Sequence, residues 1–131
     1  MSDTKSEIGG VLRTAADALR RGADATELGA LLYVPDLVVV GEGWPRALRG
    51  FAAFKPDLAA LLESWGPNPD LTFSIVDPVI AGRESATTMV DVYVAPKTEA
   101  DPGERYRVIY AWIRTERGWR VAVEMYMVGS F

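Results

Sequence analysis

The stretch from Arg105 to Val128 reads RYRVIYAWIRTERGWRVAVEMYMV, two runs rich in β-branched and aromatic residues around a short polar turn at Glu116 and Arg117. That pattern predicts a long antiparallel hairpin. Direct cross-strand pairing outward from a two-residue loop sets Trp112 opposite Val121, Tyr110 opposite Val123, Val108 opposite Met125 and Tyr106 opposite Met127. One face of the hairpin is then wholly apolar. The other pairs Ile113 with Arg120, Ala111 with Ala122, Ile109 with Glu124 and Arg107 with Tyr126, and so mixes small, apolar and charged groups. A sheet of this kind either buries one side and wets the other, or buries both around a cavity.

The rest of the chain supplies the cover. Residues 4–21 place Ile8, Val11, Leu12, Ala15, Ala16 and Leu19 at helical spacing, with Thr4 or Ser6 as N-cap and Arg20-Arg21-Gly22 as stop. A shorter helix follows from about Ala25 to Leu32, before Val34-Pro35-Asp36 breaks it. Leu37 to Val40 reads as a buried strand, with Trp44 to Arg49 as its hairpin partner. Phe51 to Trp65 again has helical periodicity, and Pro56 should kink that helix or mark its first turn at Lys55. Strands are expected at Leu71–Val76, Val79–Ala81 and Ser85–Val94, and Ala95–Glu104 is a polar loop into the final hairpin. Helices first and strands afterwards predict an α+β fold, three helices packed on one face of a curved antiparallel sheet. With 131 residues and no repeat or linker, residues 1–131 read as a single domain.

Composition removes whole classes of function. The net charge is −4 and the basic residues are scattered, whereas nucleic acid and anionic membrane both require a basic patch. No apolar run approaches the roughly 18 residues of a membrane span, and MSDTKSEIGG lacks the apolar core of a signal peptide, so the expected location is cytoplasmic. The absence of cysteine removes disulfides, thiolate nucleophiles and zinc–thiolate sites. Without histidine there is no imidazole base and no Ser-His or Cys-His nucleophile, which leaves Asp, Glu, Tyr, Lys and Arg for any proton transfer. No phosphate-binding glycine loop or ligand cluster is present, so neither metal nor organic cofactor is implied.

The segments LLYVPDLVVVGEG, ALRGFAAF and YAWIRTERGWRVAVEMY, in this order and spacing, resemble the nuclear transport factor 2-like superfamily, and within it the SnoaL-like and ketosteroid-isomerase-like members. The resemblance spans nearly the whole chain. It implies a cystatin-like, cone-shaped domain whose open mouth holds a small hydrophobic molecule, and often a homodimer through the sheet. It also sets Gly41, Ala15 and Ala111 at the three catalytic positions of ketosteroid isomerases, so steroid-type isomerisation is not expected. Glu42 stands one residue from the first of these and remains a rim candidate.

By the same resemblance Met89, Asp91, Tyr93, Ile109, Ala111, Glu124 and Tyr126 point into the cone. The hairpin pairing independently groups Arg107, Ile109, Ala111, Glu124 and Tyr126 on the semi-polar face. If that face lines a dry pocket, Glu124 and Asp91 are carboxylates whose pKa desolvation raises toward the range of a working acid or base, while Arg107 holds a carboxylate ionised or binds an acidic ligand. If it is wet, Glu124, Arg107 and Arg120 form cross-strand ion pairs worth less than about 1 kcal/mol. Tyr93 and Tyr126 are ligand-contact candidates, and Trp44 and Trp65 belong to the core or the pocket rim. Three functions remain open. One is a domain that binds a small, mostly apolar molecule with a polar handle. Another is an isomerase, cyclase or dehydratase with Glu124 or Asp91 as proton-transfer group. The third is a dimerisation module without ligand. The apolar face carrying Tyr110 and Trp112 is larger than a monomer usually exposes, and is the expected homodimer interface if the helices cover the other side.

Overall fold

The computed structural model describes residues 3–131. Helix α1 spans Thr4–Arg20 and is capped not by Thr4 or Ser6 but by Asp3, whose carboxylate accepts from the Lys5 backbone N–H at 3.0 Å. Its stripe of Ile8, Leu12, Ala15, Ala16 and Leu19 is buried. Helix α2, Ala25–Leu32, is capped by Asp24, which accepts from Glu27 N at 2.9 Å. It passes without a loop into β1, Tyr33–Gly41, so the strand begins earlier than the apolar run of Leu37–Val40 suggests. Only Leu48–Arg49 returns as β2, because Trp44 turns back onto Gly41 and Tyr126 instead of continuing a ladder. Helix α3 runs Phe51–Trp65 with Pro56 in its interior, beyond the first turn. Strands β3 (Leu71–Ala81), β4 (Ser85–Val94), β5 (Glu104–Thr115) and β6 (Gly118–Val128) complete the chain. The two short strands expected before residue 82 are one strand with a register shift between Val76 and Ile80.

These strands form one open sheet in the order β2-β1-β6-β5-β4-β3. It is mixed rather than wholly antiparallel, because β1 lies parallel to β6. The helices cover one face, where α1 packs on β3, α2 on β1 and β6, and α3 on β1.

The register of the final hairpin decides everything about the site. Thr115 pairs with Gly118, Ile113 with Arg120 and Trp112 with Val121, as a two-residue loop demands. Ala111 then pairs with Val123, so Ala122 has no partner and forms a bulge. Beyond it the pairs are Tyr110 with Glu124, Val108 with Tyr126 and Tyr106 with Val128. One inserted residue reverses the facing of every later side chain on that strand. Glu124 and Tyr126 therefore join Tyr106, Val108 and Tyr110, while Val123, Met125 and Met127 move to the opposite face. β1 shifts register at the same place, pairing Tyr33 with Val121 and then Val38 with Val123.

The helices cover the face that carries Tyr110 and Trp112, which are 3% and 0% exposed. This corrects the expected interface, since both rings are spent in the core and offer nothing to a second chain. The Trp112 indole donates to Thr88 Oγ1 at 2.9 Å, so the one polar atom of that buried ring is satisfied. The open face presents Ile113, Val123 and Met125, each about two-fifths exposed at 38%, 40% and 42%.

Candidate functional site

Between the helices and the sheet lies a cavity of about 360 Å³, within the range of small-molecule sites. Helix α2 contributes Leu28 and Leu32, and α3 contributes Phe54, Leu58, Leu61 and Trp65. The sheet adds Val92, Val108, Tyr110 and Glu124, and Trp44, Asp57, Tyr106 and Tyr126 complete the wall. A chain of rings runs along it: Trp44 against Tyr126 at 5.4 Å, Tyr126 against Tyr106 at 6.4 Å, Tyr106 against Trp65 at 6.1 Å.

Glu124 is the one buried carboxyl among the described residues lining the cavity, 6% exposed. Its Oε1 accepts a hydrogen bond from the Tyr33 hydroxyl at 2.7 Å, and no other protein group among the described residues bonds to it. Desolvation pushes the carboxyl up to about 7, with the Tyr33 hydrogen bond pulling the other way. Burial, and then the neighbouring Glu124 charge, holds the Tyr33 and Tyr110 phenols well above their ordinary range. Burial also raises Tyr106 and Tyr126, against the effect of the nearby Trp65 and Trp44 indoles. The Trp65 indole N–H nonetheless lacks a well-formed hydrogen bond. The arrangement offers one carboxyl poised to hold or release a proton near neutral pH, inside an aromatic and aliphatic wall.

Of the residues singled out from the sequence, Trp44, Trp65, Glu124 and Tyr126 line this cavity. Met89, Asp91, Tyr93, Arg107, Ile109 and Ala111 do not. They lie on the open face, because β4 and β5 turn Val90, Val92, Val108 and Tyr110 toward the helices and alternation sends their neighbours outward. Asp91 is thereby removed as an acid–base candidate; its Oδ1 accepts from the Phe131 backbone N–H at 2.7 Å. Arg107 stands cross-strand from Asp91, far from Glu124's side of the sheet, and its Nε is buried without a partner. Tyr93 lies under the Arg105 guanidinium at 4.4 Å. Among the positions matched to isomerase catalysis, Ala15 is core, Gly41 abuts the Trp44 ring and Ala111 faces outward. Glu42 accepts from Val128 N at 3.3 Å.

Tyr33, Asp57 and Tyr110 are site residues that the pattern of the sequence did not single out. Tyr33 sits where helix and strand join, and Tyr110 was hidden by its place on an apolar face. Among the described residues no cluster of three or more His, Cys, Asp or Glu could hold a metal ion. No helix among them is long and apolar enough to cross a membrane.

No protein-family model matches the chain, and no curated protein does. Solved structures do match it. An NTF2-like protein with a cystatin-like fold from Novosphingobium aromaticivorans is 19% identical, with TM-score 0.66 over 95% of this chain and 80% of that one. A domain of unknown function with a cystatin-like fold from Nostoc punctiforme is 17% identical, with TM-score 0.72 over 99% of this chain and 81% of its own. A ketosteroid isomerase-like protein from Erwinia carotovora atroseptica is 20% identical, with TM-score 0.64 over 100% of both chains. The chain has the cystatin-like fold described for the first two of these proteins.

Proposed function

We propose that this protein binds a small, mostly apolar molecule in the cavity beneath the helices, with the molecule's polar handle set against Glu124. The observation that carries this reading is the Glu124 carboxyl itself. A buried acid with a single hydrogen bond costs stability in a fold that could have used an aliphatic residue there, and it faces a space large enough for a ligand. An NMR screen of the ligand-free protein against small apolar fragments tests it. Binders are expected to shift the Trp65 indole and Tyr126 ring signals together with the Glu124 carboxyl. Binders that perturb only residues outside the cavity would refute the assignment.

A second reading is favoured by the titration of Glu124 near neutrality, which suits a general acid or base. In an isomerase, cyclase or dehydratase, Glu124 would move the proton and Tyr110 or Tyr126 would donate to the developing enolate. Glu124→Gln separates the two: loss of turnover with ligand binding retained marks the enzyme.

The same reading includes a homodimer, now through the open sheet face. Val123 and Met125 there continue into Val38 and Val40 on β1 and Ile109 on β5. A contiguous apolar face of this kind is what a two-fold partner would cover.

A further inference from the structure

We infer that the polar handle is a cation, so that the cavity takes a lipophilic amine or quaternary ammonium compound; this rests on the cavity being the binding site. The charged side chains of the lining are both carboxylates, Glu124 on the sheet and Asp57 on α3, and no lysine or arginine joins them. Glu42 adds a third negative charge close enough to act on Tyr126. These charges disfavour an anion and favour a cation.

The aromatic wall argues in the same direction. Tyr126 stands at 80° to Trp44 and at 75° to Tyr106, while Tyr106 and Trp65 are tilted by 49°. Tyr126 thus meets Trp44 and Tyr106 edge-to-face, so the wall around the cavity is built of π-systems set at differing angles. Ring faces are negative, and mutually angled aromatic rings with a nearby carboxylate are the arrangement that recognises ammonium groups. The Tyr33 hydroxyl, which gives its proton to Glu124, is not free to serve a neutral carbonyl.

Binding and protonation are then coupled. The groups around Glu124 are the phenols of Tyr33 on β1, Tyr110 on β5 and Tyr126 on β6, while Asp57 on α3 stands exposed where its charge reaches Tyr126, and α1 and α2 bring only Leu19, Leu28 and Leu32 to the cavity. No lysine or arginine among the described residues lines the cavity to offset an ionised Glu124, so a cationic ligand would. A cation entering below neutral pH displaces the Glu124 proton into solvent.

The test compares benzyltrimethylammonium with its uncharged carbon isostere neopentylbenzene and with the anion benzylsulfonate, each titrated by tryptophan fluorescence and NMR at pH 6 and pH 8. The ammonium probe has no proton of its own, so its pH dependence reports the protein. It is expected to bind at least about tenfold more tightly than the isostere at pH 8. For a group titrating at about 7, the ionised fraction falls from about nine-tenths to about one-tenth, so the probe should weaken about tenfold at pH 6. Glu124→Gln should flatten that dependence, and the wild-type series decides the matter even if the variant folds poorly. An isostere that binds as well as the cation, or a cation indifferent to pH between 6 and 8, overturns the inference and leaves the cavity as the binding site. Failure of all three probes to bind overturns the cavity reading with it.

Discussion

Replacing Glu124 by glutamine is expected to change the pH dependence of stability. The carboxyl titrates at about 7 in the folded protein against an ordinary 4.5, so the folded state holds this proton more tightly than the unfolded chain. A raised carboxyl pKa contributes stability that is complete below the unfolded value and is lost as pH rises through the folded one. At about 1.4 kcal/mol per pH unit the full gap is worth about 3 kcal/mol, most of it lost between pH 5 and pH 8. Glutamine keeps the shape of the side chain and an oxygen for the Tyr33 hydroxyl, but has no proton to lose. Relative to wild type, the variant should therefore gain about 2–3 kcal/mol between pH 5 and pH 8, or roughly 6–12 °C in Tm for a chain of this length. Urea unfolding followed by circular dichroism at constant ionic strength measures it, and other titrating groups cancel because both proteins share them. Parallel stability profiles for the two proteins would show that Glu124 ionises normally, and the desolvated-site reasoning would fail.

Tyr33→Phe removes the hydrogen bond that favours the ionised carboxyl, so the Glu124 pKa should rise further in a carbon-detected NMR titration; an unchanged or lower value would count against the contact. Thr88→Val leaves the fully buried Trp112 indole N–H without its partner and should cost about 1–3 kcal/mol in urea unfolding, whereas a neutral result would mean the indole finds another acceptor. Gly41→Ala places a methyl inside the Trp44 ring, so the ring must leave its edge contact with Tyr126 and its indole NMR signal should move; an unmoved signal contradicts the packing. Met125→Asp puts a charge on the open apolar face and should convert a dimer to monomer in sedimentation velocity, while a wild-type protein that stays monomeric at all concentrations rejects pairing through that face.

The elements were largely legible because hydrophobic period and breakers act locally. The spacing of Ile8, Leu12, Ala15 and Leu19, the break after Leu32, and the run Phe51–Trp65 each correspond to a helix of the structure. The two-residue turn at Glu116-Arg117 was legible for the same reason. The facing of Glu124 was not. In AVEMYMV both alternating sets are mostly apolar, so period-two reasoning cannot detect the unpaired Ala122, and every assignment beyond it was carried to the wrong side. Glu124, Tyr126 and Trp65 reach the cavity, while the residues grouped with them on β4 and β5 stay outside, because those strands carry no such insertion next to them. Tyr33 and Asp57 meet the site only through the packing of α3 and β1, which no local pattern encodes.

The unpaired alanine makes the site a matter of strand parity rather than of residue identity. Were Ala122 to pair with Ala111 instead of bulging, Val123 and Met125 would close the space under the helices and Glu124 and Tyr126 would stand in solvent on the open face. A ligand chamber and a greasy outer surface would vanish in one event, leaving a filled core and a polar exterior. The wall of the cavity and the apolar character of the open face thus both depend on one residue left out of the ladder.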